Sequence, residues 1–306
     1  MGTIELQKKP TVSVFSALFC LSSPNNKNPK RSTRMKSRLS SIIFCAAAIL
    51  VACNGNNGNS TASSNVEQSA AKDTFGIYEY CDTFALDTIG SGSPVMTIRI
   101  SLPVLKESSE RARKINHYIC CASVECEPGN SIEQNIENFV ERCKAEYYAL
   151  RSDYLDEKGI NPSSPRFYHS YQIEGKMIES KKGTLCCKTN ISIYQGGAHG
   201  MESTTYTNFD EVTGNCIGKY DIIAEDADIV LCERLTATLA RQLGVTTLEE
   251  IQEKGYLTDI DMWATENFHI TDDSIYFHYD RYEIAPYALG STTLALGLDE
   301  IKDIMK

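Results

Sequence analysis

The 306 residues contain no Gly-Lys-Ser/Thr phosphate loop, no Ser or Cys in a recognisable nucleophile elbow, and no carboxylate pair that stands out by its spacing. Phosphate-loop chemistry and elbow-type acyl transfer are therefore not signalled. Spanning-length apolar runs are also missing. Ile42 to Ala52 is uncharged but only 11 residues long, whereas a membrane-spanning helix needs roughly 20. Basic side chains are scarce, 30 against 40 acidic, a net charge of −10. That balance disfavours nucleic acid as a partner. Cysteine is plentiful, at 12, but C-x-x-C spacing is absent, so a zinc site is not expected; His278 and Asp280 have no obvious third ligand, and no metal or cofactor is assigned.

What is present begins with Met35 to Cys53. Lys36 and Arg38, with Arg31 and Arg34 upstream, form a cationic flank before the short apolar run. This is the pattern of a secretion signal. Its end, Leu50-Val51-Ala52-Cys53, resembles the bacterial lipobox. The resemblance implies cleavage before Cys53 and acylation there, with palmitate among the chains. The membrane is then a partner through lipid on Cys53, since two or more acyl chains anchor stably. Residues 1–52 are set aside as a signal region whose true start is Met35. Beyond it, 30 basic residues less eight leave 22, and 40 acidic less one leave 39, a net of −17. A cationic partner would be attracted to such a surface, although solubility alone also accounts for it. Nine cysteines remain after Cys53, an odd number, so at least one lacks an internal partner and no pairing is assigned. Cys143 and Cys187 fall on apolar faces and read as small core residues.

Residues 53–72 are Asn/Gly/Ser/Ala-rich and read as a flexible tether. Met96, Ile98, Ile100 and Leu102 alternate as in a strand. A helix is expected over Glu107 to Cys121. Ser131 caps a second helix with the stripe Ile132, Ile136, Phe139, Val140, Cys143, Tyr147 and Leu150. Glu174-Gly175-Lys176 reads as a hairpin turn between Tyr168–Ile173 and Met177-Ile178. Leu185 to Ile193 and Thr204 to Phe209 read as strands, with a turn at Asp210 to Asn215. A helix runs from about Asp226 to Leu243, stopped by Gly244, and Thr247 with Glu250 forms a capping box. Asn267 to Ile270 and Ile275 to Tyr279 form a hairpin. A Glu283 to Gly290 loop, a Thr292 to Leu296 strand and a Leu298 to Met305 helix close the chain. The expected fold is α+β, with mostly antiparallel sheets, packed helices and two intimately packed subdomains, 73–200 and 201–306.

Three segments together carry a resemblance: Tyr194-Gln195-Gly196-Gly197-Ala198-His199-Gly200, the turn Asp210 to Gly214, and Tyr282-Glu283-Ile284-Ala285-Pro286-Tyr287-Ala288-Leu289-Gly290. In this order they resemble paired bacterial extracytoplasmic domains of unknown function. That pair forms the outer part of a lysozyme-sensing anti-sigma factor and also lies beside the catalytic domain of a peptidoglycan deacetylase. The resemblance spans roughly Thr74 to Met305. It implies a fold and a cell-envelope setting, and it carries no activity over.

The candidate ligand residues are Tyr194, Gly196, Gly197, His199, Glu283 and Tyr287; no catalytic set is assigned. Gly196 to Gly200 reads either as a ligand loop, with His199 as a polar contact, or as a tight connection needing positive φ. Glu283 and Tyr287 read as bracing or as ligand groups. His278 and Asp280 share a strand face that is expected to be solvated. The leading expectation is a lipid-anchored, non-enzymatic module, facing the periplasm from the outer membrane, that binds peptidoglycan or a cationic protein such as lysozyme. The alternative is a glycan-acting hydrolase using His199. A structural lipoprotein without a small ligand is the plainest reading.

Overall fold

The computed structural model describes residues 75–88, 92–159, 161 and 163–306. The signal region, Cys53 and the tether lie outside the described residues. A first sheet has the order β1 (Phe75–Ala85), β2 (Val95–Leu105), β3 (His169–Ile178), β4 (Thr184–Gln195), β5 (Met201–Asp210) and β6 (Cys216–Ile217). Its neighbours are antiparallel except β2 and β3. That one parallel pair requires a crossover, and three helices supply it. They are α1 (Glu110–Cys121), α2 (Ile132–Ala149) and α3 (Arg151–Glu157).

Local sequence explains these elements. In β2 the alternating Met96, Ile98, Ile100 and Leu102 are all buried. Ser109 caps α1 by accepting from the Ala112 amide, so the helix starts three residues later than expected. Ser131 and Gln134 form a reciprocal capping box at α2. The predicted stripe of α2 faces the core: Ile136, Phe139, Val140, Cys143 and Tyr147 are buried. The Tyr147 hydroxyl donates to the Phe167 carbonyl at 2.9 Å. Cys143 and Cys187 are buried core residues, as their positions predict.

The hairpin expected at Glu174 to Lys176 is not there. β3 runs straight through it. A Cβ on Gly175 would meet Pro103 Cδ at 2.8 Å, so its glycine answers to close packing against β2. The reversal comes later, at residues 179–183, where Gly183 has φ +82.

The second core is built by α5 (Asp228–Leu243) and α6 (Leu248–Glu253) over a three-stranded antiparallel sheet. The short α4 (Lys219–Ile222) leads into it. The strands are β7 (Phe268–Ile270), β8 (Ser274–Tyr279) and β9 (Thr292–Gly297), with β8 central. Gly244 ends α5 in the left-handed conformation, and Thr247 with Glu250 caps α6. The terminal segment forms two 3-10 turns, Leu298–Glu300 and Lys302–Ile304, instead of one helix. The buried Ile301 and Ile304 hold it against the core, and the Ala224 amide donates to the Ile304 carbonyl. Buried residues group into one cluster from Leu86 to Phe209 and another from Ile223 to Ile304. β5 and β6, which the sequence reading assigns to the C-terminal part, hydrogen-bond into the first sheet.

Candidate functional site

The edge of β5 positions the site. β6 pairs with β5 only at Asn208 and Phe209, which leaves the amides of its first half open. Side chains of the second unit fill that gap. Asn267 accepts from the Tyr206 amide at 2.9 Å and donates to the Thr204 carbonyl at 2.6 Å. Asp280 accepts from the Thr204 amide through both oxygens, at 3.0 and 3.2 Å. Asn208 donates to the Phe268 carbonyl at 2.7 Å. A sheet edge is thus satisfied by side chains in place of a neighbouring strand.

His278 lies behind this edge and is buried, against the expectation of a solvated face. Its strand is the middle of the second sheet, and Tyr206 from β5 covers it with ring centroids 5.6 Å apart. His278 meets Thr293 Oγ1 at 2.9 Å through Nδ1 and Asp280 Oδ1 at 3.2 Å through Nε2. His269 stacks between Tyr206 and Tyr276, at 4.8 and 4.5 Å. Burial pushes its pKa below the usual imidazole value, and Lys188 adds to the shift, so the ring favours its neutral form there.

On the open side of this junction two loops meet. The β4–β5 connection carries Gly196 at φ +85 and Gly197 at φ +99, conformations that favour glycine. A Cβ on Gly196 would lie 2.7 Å from Arg166 Cα, so that position has no room for a side chain. The Tyr194 hydroxyl donates to the Gly197 carbonyl at 3.0 Å. The turn presents His199, whose Nδ1 lies 3.1 Å from the Gly200 carbonyl. Its ring stacks on Tyr287 with centroids 4.5 Å apart and planes at 27°.

Tyr287 comes from the loop after β8, and the same ring is covered by the Arg281 guanidinium at 4.6 Å. Tyr282 stands 5.6 Å from Tyr287, is 67% exposed and has φ +72. A non-glycine residue held at positive φ stores strain, typically about 1 kcal/mol or more. Arg281 also pairs with Glu202 of β5. Glu283 turns inward instead: its Oε2 accepts from the Asp280 amide at 2.6 Å, and burial raises its pKa. It braces the loop that Tyr287 projects from.

Beside the platform, along β3, β4 and β5, lies an open trough of about 370 Å³. Gln172, Glu174, Asn190, Ser192 and Glu202 line it. Glu202 borders both trough and platform. The structure therefore brings His199 and Tyr287 together, uses Tyr194, Gly196, Gly197 and Glu283 to hold their loops, and adds Tyr282, Arg281, Glu202 and the trough residues. Sequence reasoning missed these last groups. Tyr282, next to Arg281 and at the head of the Tyr282 to Gly290 motif, was the available signal. A separate grouping of His117, Cys121 and Cys126 was also not foreseen from spacing.

Residues 89–202 match the family model described as "Deacetylase PdaC", and residues 220–299 match "Protein of unknown function (DUF3298)". The chain is 26% identical over 159 residues to the peptidoglycan-N-acetylmuramic acid deacetylase PdaC of Bacillus subtilis strain 168. That alignment covers 51% of this chain and 34% of the deacetylase, so the chain spans about a third of that relative's length. A crystal structure of a DUF3298 family member from Bacteroides fragilis superposes with a TM-score of 0.66 at 25% identity, covering 76% of this chain and 93% of that one. A DUF3298 family protein from Pseudomonas aeruginosa PAO1 shares the fold, with a TM-score of 0.52 at 16% identity over 76% of this chain and 95% of that one. His199 falls in the first matched segment and Tyr287 in the second, so the platform is assembled from both. The chain carries in tandem a segment similar to PdaC and a segment similar to DUF3298, the paired arrangement that its sequence motifs resemble.

Proposed function

We propose that this chain is a lipid-anchored cell-envelope module that binds an envelope glycan of the peptidoglycan type without transforming it. The observation that carries the reading is the ring platform of His199, Tyr287 and Tyr282 beside a trough of amide, hydroxyl and carboxylate groups. A sugar ring offers an apolar face for stacking and a rim of hydroxyls for hydrogen bonds. Ligand sites pair such surfaces with a few placed polar groups. The similarity to a peptidoglycan-N-acetylmuramic acid deacetylase supports the setting. Among the described residues, His199 meets a carbonyl and an aromatic ring and not a carboxylate, which favours binding over hydrolysis.

Sedimentation with purified peptidoglycan tests this. The wild-type chain is expected to pellet with the polymer, and Tyr287→Ala is expected to weaken the association about tenfold, because it removes the ring on which His199 and Arg281 are set. Absence of sedimentation, or full binding by both Tyr287→Ala and Tyr282→Ala, would sink the glycan reading. Release of acetate or soluble fragments would identify an enzyme instead. A second reading, capture of a cationic protein such as lysozyme, is supported by the net charge of −17 that remains when 22 basic and 39 acidic side chains are counted after residue 52. It predicts binding that weakens steeply with salt and ignores Tyr287→Ala.

Anchoring follows from Cys53. The motif Leu50-Val51-Ala52-Cys53 supports acylation there, palmitate included, and the non-acidic Asn54-Gly55-Asn56 that follows supports the periplasmic face of the outer membrane. Replacement Cys53→Ser is expected to move the protein from the membrane to the soluble fraction and to remove the acyl mass from its N-terminal peptide. A Cys53→Ser protein that stays with the membrane would refute the anchor.

A further inference from the structure

The end of α1 gathers three metal-ligating side chains. His117 and Cys121 are four residues apart and share one helix face. The helix stops at Cys121, and the chain turns at once: Ala122 donates to the Tyr118 carbonyl at 2.9 Å, and Val124 donates to that of Cys120 at 2.8 Å. The fully buried Val124 anchors this turn in the first core. The Glu127 amide, donating to Asn135 of α2 at 3.1 Å, pins the segment that follows. Between these anchors Cys126 is folded back onto the helix end. The ligand atoms of His117, Cys121 and Cys126 all lie within 4.8 Å of one another, and Cys121 Sγ is 3.5 Å from His117 Nε2. A tetrahedral zinc ion with Zn–S of about 2.3 Å and Zn–N of about 2.0 Å spaces its sulfur and nitrogen ligands by roughly 3.5 Å.

We propose that His117, Cys121 and Cys126 form a zinc site with a fourth position open to water or an added ligand. Two thiolates and an imidazole are a donor set that selects zinc over magnesium or calcium. All three residues are half-buried, so an ion can enter from solvent and still be partly shielded. His117 also lines an open cavity of about 950 Å³ between α1 and the start of α2, together with Cys120, Lys106, Arg113 and Asn130. The residue pattern His-x3-Cys-x4-Cys differs from C-x-x-C, and only the turn after α1 brings its last member into range.

Cobalt titration of the reduced, metal-free chain is the test, because Co²⁺ substitutes for zinc and reports its ligands by absorption. One equivalent is expected to bind with a thiolate charge-transfer band and tetrahedral d–d bands, and added Zn²⁺ is expected to abolish both. Cys121→Ser and Cys126→Ser should each weaken binding at least about 100-fold, and His117→Asn at least about tenfold. Cys81→Ser and Cys216→Ser, at exposed thiols elsewhere, should leave it unchanged. Circular dichroism of each variant separates lost metal from lost fold. The site is refuted if no Co²⁺ binds, if binding survives Cys126→Ser, or if protein isolated without reductant joins Cys121 to Cys126 as a disulfide.

Discussion

Replacing Asp280 by alanine is expected to lower the stability of the folded chain by about 3 kcal/mol. The carboxylate accepts from the Thr204 amide through both oxygens and meets the buried His278 ring. Removing it leaves two polar groups at the junction without that partner, at about 1–3 kcal/mol each. Alanine also loosens the loop that follows, because the Asp280 amide is held by Glu283 and the next residue, Arg281, covers Tyr287. Chemical denaturation should show the loss. It should also show the two cores beginning to unfold apart, since polar side chains of one unit hold the β5 edge of the other. Asp280→Asn keeps an acceptor and should recover part of the stability. A single transition with an unchanged midpoint in Asp280→Ala would show that the junction does not depend on this residue.

The legibility of the sequence follows from where each signal is local. The α2 stripe is a one-element pattern, and Ser131 with Gln134 marks its start within four residues. Most of the strands and the α+β class are likewise carried by periodicity, whereas β1 and the parallel pairing of β2 with β3 are not. Two of the misreadings involve contacts with residues far along the chain. Gly175 looks like a turn because turns favour glycine, but Pro103 and Leu102, about 70 residues earlier, leave no room for a side chain. His278 looks solvated because alternation says which face it shares, not what covers that face, and the cover is Tyr206. The platform was half legible. The motifs supplied His199 and Tyr287 as separate candidates, and only the fold stacks one on the other. Glu202 and the trough residues lie on ordinary strand positions, so nothing in their local sequence marks them. The thiol–imidazole cluster was hidden because only the turn after α1 brings Cys126 back to His117 and Cys121.

A second large effect is expected at Gly196. Valine there must adopt φ near +85, a region that β-branched residues almost never occupy. Its Cβ would also press on the Arg166 backbone, 2.7 Å from Cα and 3.0 Å from the carbonyl oxygen. Backbone cannot rotate aside as a side chain can. Strain and overpacking together are expected to cost about 3 kcal/mol, by thermal or chemical denaturation. The functional consequence discriminates further. The β4–β5 connection is what carries His199 to Tyr287, so Gly196→Val should weaken peptidoglycan sedimentation about as much as Tyr287→Ala does, even where the chain remains folded. Gly197→Ala is the control: it too has a left-handed backbone, but its Cβ would meet no atom within 4 Å. It should cost about 1 kcal/mol from conformation alone and leave binding nearly intact. Equal losses in both variants would mean that the backbone angle, and not the tight approach to Arg166, sets the position of the platform.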